Sequence, residues 1–288
     1  MLLKRIAILG PGLLGGSIAL RLREVGGWHV TLWTRREATL PQLRERGVAD
    51  AVTANISDAV RDADVVVLCV PIEAMGRLAE EIAHAAKPEC IVTDVGSVKA
   101  SVVAELDAIL SGKCRFIGSH PMAGKAESGI DAAEASLFRE TNCIITPTAA
   151  TDAEAIDLIR GFWETIGCRV VSMGAGEHDE CVALISHLPH LVAGSLVRAV
   201  ADRNPRAFEV VGPGFRDTTR VAGGPPELWT GIMQANRGAI LEAIDAMIAK
   251  LYDFRQTLER VAESKDADDL KNFLAVAKQT RDQIKFPK

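Results

Sequence analysis

Three of the six histidines stand in surroundings unlike an ordinary surface. His120 lies in Gly118-Ser119-His120-Pro121-Met122-Ala123-Gly124, directly after a predicted strand. Sites in open α/β sheets form at such strand ends. His187 and His190 lie in Ser186-His187-Leu188-Pro189-His190, on a predicted long helix. An imidazole changes protonation near neutral pH, so a histidine placed this way can act as a general base or acid. Ser97 lies in Asp94-Val95-Gly96-Ser97-Val98-Lys99, at the end of the preceding strand. Its hydroxyl can hydrogen-bond a substrate oxygen or a histidine, or it can cap a helix. The spacing of His187 and His190 would also suit a metal, but no third ligand is evident and no metal is expected. His29, His84 and His178 sit in ordinary strand or helix surface contexts and are assigned no role.

A second group of residues points to a nucleotide. Gly10-Pro11-Gly12-Leu13-Leu14-Gly15 fits G-x-G-x-x-G between a strand and a helix. Gly10 permits the tight turn, Gly12 lets backbone N–H groups approach a pyrophosphate, and Gly15 lets helix and strand pack closely. Leu13 and Leu14 open the helix, and Val70 and Pro71, after another strand, are expected to line the same site. The second strand ends Trp33-Thr34-Arg35-Arg36, with no acid until Glu37. A carboxylate there would hold a ribose 2′-hydroxyl; the hydroxyl of Thr34 and the guanidiniums of Arg35 and Arg36 suit a 2′-phosphate instead. NADP is the expected cofactor and NAD the alternative.

The elements that must position these residues fall into two groups. Runs at Arg5–Leu9, His29–Thr34, Asp64–Val70, Cys90–Asp94, Arg115–Ser119, Asn142–Thr146 and Arg169–Ser172 read as strands. Val65 to Val70 shows no polar alternation, so both faces should be buried, as in a parallel sheet covered by helices. Helical spacing recurs between the strands. Residues 1–173 are therefore read as a doubly wound, Rossmann-type α/β domain. Residues 174–288 are read as an all-α domain, with helices near 177–202, 226–263 and 266–284. In the middle helix Ile240, Ile244, Met247, Leu251, Phe254, Leu258 and Val261 recur at steps of three or four. A helix of about 38 residues would run about 57 Å. A domain of this size has a radius of gyration near 13–14 Å, so the helix must project past it and a second copy should cover the rest.

Composition bounds the partners. Thirty-three Lys+Arg against 38 Asp+Glu give a net charge of -5, and aromatics are 5%, so nucleic acid is not an expected partner. No stretch is read as approaching the ~20 apolar residues of a membrane span. The N-terminus runs directly into a strand and glycines, without a signal-peptide core. The six cysteines form no C-x-x-C pair and are read as reduced, in a cytoplasmic protein.

Taken together, Gly10–Ser17, Asp94–Lys99, Ser119–Gly124 with Ser128-Gly129, Ser186–His190 and Gly214–Ala222 resemble the prephenate/arogenate dehydrogenase family of tyrosine biosynthesis. They occur in family order, and Trp229 and Asn236 continue the likeness. Only the glycine motif is shared widely outside it. The resemblance implies a Rossmann-type domain, a helical domain that forms a homodimer, and oxidative decarboxylation of a cyclohexadienol, prephenate or arogenate, with NAD(P). As hydride leaves the ring carbon, its hydroxyl must lose a proton; His120 suits the base and Ser97 the hydrogen-bond partner of that hydroxyl or of His120. The dienone so formed is a vinylogous β-keto acid and loses CO₂ to reach an aromatic phenol. By resemblance Arg220 binds a substrate carboxylate. His190 is read as a substrate-side contact, His187 as shaping the pocket, and Asp217 as capping the following turn. Family members often carry Glu where this chain has Ala126, which puts any gating role of that acid in doubt. No segment resembling a fused mutase or regulatory domain occurs in these 288 residues, so tyrosine inhibition, if present, is expected near the active site.

Two other readings compete. A β-hydroxyacid dehydrogenase or imine reductase shares the two-domain plan, but the former places a lysine on the first long helix, and no lysine occurs between Gly174 and Arg203. A non-catalytic NADP sensor would leave His120, Ser97 and Arg220 without a reason to converge.

Overall fold

Along the first strand, β1 (Lys4–Leu9), side chains alternate between two cores: Ile6 and Ile8 enter one, Ala7 and Leu9 the other. The computed structural model describes residues 4–125, 127–264 and 267–284; Ala126 lies outside the described residues. The other strands are β2 (Trp28–Trp33), β3 (Ala51–Thr53), β4 (Val65–Leu68), β5 (Ile91–Asp94), β6 (Arg115–Pro121), β7 (Asn142–Thr146) and β8 (Arg169–Ser172). They form one sheet in the order β3-β2-β1-β4-β5-β6-β7-β8. All pairings are parallel except β6 with β7. Helices α1 (Leu13–Val25), α2 (Leu40–Glu45) and α6 (Ala153–Ile166) supply residues to one core. Helices α3 (Ile56–Val60), α4 (Met75–Ala85) and α5 (Ala100–Leu110) supply the other. Val65 to Leu68 are wholly buried, as expected of a central strand covered on both faces.

This is the doubly wound plan, and its strand order reverses between β1 and β4, which places a crevice at the C-terminal ends of those two strands. Seven strands match the sequence reading. β3 was not read from the sequence: at three residues it is too short to show alternation. The strand expected to end at Ser119 continues through Pro121, because β7 pairs with it, His120 opposite Ile144. All six cysteines are free thiols, and burial pushes the Cys69 thiol up, away from reactivity.

The sheet ends at Ser172 and helices follow: α7 (Ala175–Val182), α8 (Leu188–Arg203), α9 (Pro213–Thr219), α10 (Pro226–Ala235), α11 (Arg237–Ser264) and α12 (Asp268–Gln283). Three expectations are revised here. The single helix over 226–263 is two helices that part at Asn236, leaving α11 at 28 residues, or about 42 Å. The helix near 177–202 runs from Ala175 to Arg203 through a π-helical turn at Ala183–His187. Pro189 has no N–H to return to the preceding turn, which explains the wide turn just before it. That 29-residue run, with mean hydropathy 1.4 in its most apolar window, is long and apolar enough to cross a membrane. The expectation that no stretch reaches that length is therefore overturned. Here it instead carries buried His178, Asp179 and His187 and packs on α5 and α11.

Candidate active site

The β1–α1 turn is built as the glycine spacing requires. Gly10 has φ +117, and a Cβ there would lie 2.3 Å from the Cys69 carbonyl oxygen. A Cβ on Gly15 would lie 2.1 Å from the Gly10 carbonyl oxygen. A Cβ on Gly12, by contrast, would meet nothing within 4 Å, and no side chain caps the start of α1. Backbone N–H groups at a helix N-terminus thus face open space, which fits a pyrophosphate. Gly10, Pro11, Gly12, Val70 and Pro71 line this cleft of about 550 Å³, with Thr34, Arg35 and Arg36 at its far end. Leu13 and Leu14 do not line it; they pack against the core beneath.

The far end differs from expectation in two respects. Thr39 Oγ1 donates to the Arg36 carbonyl at 2.7 Å, so its only proton is used. The Thr34 hydroxyl, 3.0 Å from Thr39 Oγ1, must then be the donor of that pair, and it accepts from Arg36 N at 3.3 Å. Thr34 therefore shapes the turn and has no proton left for a phosphate. Arg77, on α4 and 3.8 Å from Glu81, also lines the cleft and adds a third guanidinium that sequence spacing gave no reason to include. Asp131, the acid among the lining residues, is ion-paired with Arg46.

The second constellation lies two strands away. His120 is 8% exposed at the end of β6, and its Nδ1 lies 2.8 Å from Nε2 of His178. His178 Nδ1 lies 2.7 Å from Oδ1 of Asp179. The Asp179 carboxylate also accepts from the backbone N–H groups of Lys99, at 2.7 Å, and Ala100, at 2.9 Å. It accepts throughout and so orders the protons: His178 donates from Nδ1, its Nε2 accepts, and His120 donates from Nδ1. The remaining nitrogen of His120, Nε2, carries a lone pair. Burial, followed by the charges of His178, Lys99 and His187, holds the His120 pKa well below the ordinary range. The ring is neutral at pH 7 and able to accept a proton.

His178, which the sequence reading set aside, is therefore the ring that orients His120. Ser97 does not do this: it sits partly buried in the β5–α5 loop with no bond to His120. Nor does it cap α5, whose N-terminus is capped across the domain junction by Asp179. The loop is pinned by Lys99, which is wholly buried, pairs with Asp94 and donates to the Ser119 carbonyl at 3.0 Å. Asp94 in turn accepts from the backbone N–H groups of Gly96, at 2.8 Å, and Ser119, at 3.0 Å. One buried ion pair thus fixes both the loop of Ser97 and the strand end of His120.

The helical half supplies the other wall. His190 stacks on Trp229 with ring centroids 3.6 Å apart, and His187 meets Trp229 edge-on. Nε2 of His187 and Nδ1 of His190 are buried with no partner among the described residues. Arg220 is exposed at the 3₁₀ turn Arg220–Gly223, which packs on α8, the helix of His190. Asp217 does not cap the next turn; it lies within α9, 3.4 Å from Nε of Arg216.

Comparison with known sequences decides what this arrangement belongs to. The family model described as "Prephenate dehydrogenase, nucleotide-binding domain" matches residues 18–172, and "Prephenate dehydrogenase, dimerization domain" matches residues 174–276. The chain belongs to the prephenate dehydrogenase family. A cyclohexadienyl dehydrogenase of Zymomonas mobilis is 41% identical, over 93% of this chain and 91% of its own. The structure of Aquifex aeolicus prephenate dehydrogenase, in complex with hydroxyphenyl propionate and NAD+, superposes with TM-score 0.90 at 30% identity, covering 99% of both chains. Synechocystis arogenate dehydrogenase gives 0.85 at 32% identity, covering 97% of this chain and 99% of its own. The protein is an NAD(P)-dependent dehydrogenase of the prephenate/arogenate type, with its nicotinamide cofactor on the Rossmann half.

Within that family frame, the additions to the sequence reading are His178, Asp179 and Arg77, together with the bonds made by Asn236, which the sequence reading named only as part of the likeness. A His-Asp dipeptide just after the Gly174-Ala175-Gly176 hinge was the visible signal. Adjacent helical residues do not normally face each other, so the dipeptide alone gave no reason to pair them.

Proposed function

We propose that the enzyme oxidises prephenate with NADP, releasing CO₂, and that it works as a homodimer in the cytoplasm. The observation that carries the reading is the His120–His178–Asp179 chain, which leaves a neutral, oriented Nε2 lone pair at a strand end. A dinucleotide whose pyrophosphate is held by the Gly10–Gly12 turn would supply the hydride acceptor. His120 takes the proton of the ring hydroxyl as that carbon becomes a ketone. The positive charge this creates is shared through His178 with Asp179, whose carboxylate is already held by two backbone N–H groups. Ser97, on the neighbouring loop, hydrogen-bonds the same hydroxyl. The dienone then loses the ring carboxylate as CO₂, and the ring becomes aromatic.

Arg220 is the cation for a substrate carboxylate, on the turn that packs against the helix of His190. The imidazoles of His187 and His190 meet the indole of Trp229, and donors of this kind with the Arg220 guanidinium suit the carboxylate and keto oxygens of prephenate better than the ammonium of arogenate. NADP is favoured by Arg35, Arg36 and Arg77 in the lining of the cleft, whose acid, Asp131, is already paired. The homodimer is supported by the apolar side chains that α11 leaves outside its own fold. The deciding assay mixes enzyme with prephenate or arogenate and with NADP or NAD, following reduced nicotinamide and released CO₂. Prephenate with NADP is expected to give the highest kcat/KM; no turnover with either substrate would end the reading.

A further inference from the structure

Asn236 stands where α10 ends and α11 begins, 5% exposed, and its side chain joins two parts of the site. Its Nδ2 lies 2.8 Å from the backbone carbonyl oxygen of Asp179 and 3.2 Å from Nδ1 of His187. A carbonyl oxygen only accepts, so the amide nitrogen must face it, and the orientation of the amide is fixed. The second hydrogen of the same NH₂ group then points to His187 Nδ1, which must be the accepting nitrogen. The ring proton is left on Nε2. That atom is buried with no protein acceptor among the described residues, an arrangement that is unfavourable unless a ligand completes it. Trp229 lies edge-on to the His187 ring and stacks on His190, so the unmatched donor belongs to the substrate wall.

We propose that Asn236 is a positioning residue that locks His187 in the Nε2–H tautomer, so that a neutral donor meets a carboxylate or keto oxygen of the substrate. The inference rests on the dehydrogenase reading. It also gives the helix break a purpose: the side chain that bridges Asp179 and His187 sits where the two helices part. The same residue thus ties the backbone of the relay acid to the ring of the substrate wall. Burial holds the His187 pKa down to about 4, so the ring stays a neutral donor over the working range.

The test begins with intact wild-type enzyme. Nitrogen-15 NMR of the His187 ring, assigned by comparison with His187→Gln, should show protonated Nε2 and bare Nδ1. A ring protonated on Nδ1 would overturn the proposal whether or not the enzyme turns over prephenate. Failure of turnover with a correct tautomer would instead strike the dehydrogenase reading. Asn236→Ala should raise the substrate KM about 3- to 10-fold, with cofactor affinity unchanged and kcat altered less than KM. Asn236→Asp should behave differently. Its carboxylate would accept from Nδ1–H and turn a bare Nε2 toward the substrate above the raised pKa of His187. Below that pKa, the imidazolium donates from both nitrogens. The ratio of variant to wild-type KM should therefore fall as pH falls for Asn236→Asp and stay flat for Asn236→Ala. A ratio independent of pH in both variants, with native melting and cofactor binding, would refute the tautomer lock.

Discussion

The two halves of the chain solve the burial problem differently. In the sheet half, two cores flank β1, β4 and β5, and central strand residues are wholly covered. In the helical half, the buried cluster among the described residues is small and centres on Ala183, Ile240 and Ala243. Leu241, Ile248, Leu251, Tyr252 and Leu258 of α11 stay exposed, Ile248 and Leu251 at 57% each. A half that buries its apolar residues by itself can bind cofactor by itself. A half that leaves an apolar ridge outside needs a second surface, and obligate interfaces of this kind bury about 2,000 Å² or more. Yet the half with the smaller core supplies His178 and Asp179, which orient the base on the other half. The chemistry is therefore expected to depend on the less self-sufficient part.

The largest effect should follow from breaking that dependence. Ile248→Asp with Leu251→Asp puts two carboxylates on one face of α11. Light scattering at low micromolar concentration should show a monomer near 31 kDa, with turnover abolished and NADP still bound by the sheet half. A stable, active monomer would show that the ridge is not an interface and that the helical half stands alone. Asp179→Asn should come next. It removes the anion that shares the charge on His120, and kcat should fall roughly 10²-fold, within the usual range for acid–base groups. Cofactor affinity should hold, measured by fluorescence titration. Unchanged kcat would confine Asp179 to capping α5.

A smaller effect, confined to the sheet half, tests the cofactor assignment. Arg35→Ala with Arg36→Ala should weaken NADP about 10- to 100-fold, as lost charge-assisted hydrogen bonds require, and leave NAD nearly untouched. Equal losses for both would make the arginines a solvated face. The mildest probe is pH. The His120 pKa is depressed, so kcat/KM should stay level as pH drops through 6.5, where an ordinary histidine would protonate. An acid limb centred at 6.5 would contradict the burial of the relay. Stability should move oppositely to that level rate. His187 titrates near 6.5 unfolded and about 4 folded, so the unfolded chain gains its proton first. The melting temperature should therefore fall progressively between those two values and be unaffected by His187 above them.

The same contrast explains what was legible in the sequence. Strands such as Val65–Leu68 announce themselves because every residue is apolar, and the glycines of residues 10–15 carry their geometry in their identity. β3, at three residues, carries no such pattern. In the helical half the apolar stripe was visible, but nothing in its period marked the break at Asn236, which a side-chain bridge to Asp179 and His187 stabilises. His120 was found from its place near a strand end. His178 was missed because its significance lies 58 residues away in the chain, in the ring of His120. Asp179 likewise acts on the N-terminus of α5, about 80 residues earlier. Contacts of that range come from tertiary packing, which local spacing does not encode. Pro189 was a usable signal for the wide turn before it, since a missing N–H on a helix must loosen the preceding turn.

The central claim is that His120, held neutral and oriented from the helical half, takes the hydroxyl proton as hydride leaves. Steady-state kinetics of His120→Asn with prephenate and NADP, beside a cofactor titration of the same variant, tests it most directly. kcat should fall by roughly 10²–10⁴ with cofactor affinity unchanged; a variant that retains more than half of the wild-type kcat would contradict the claim.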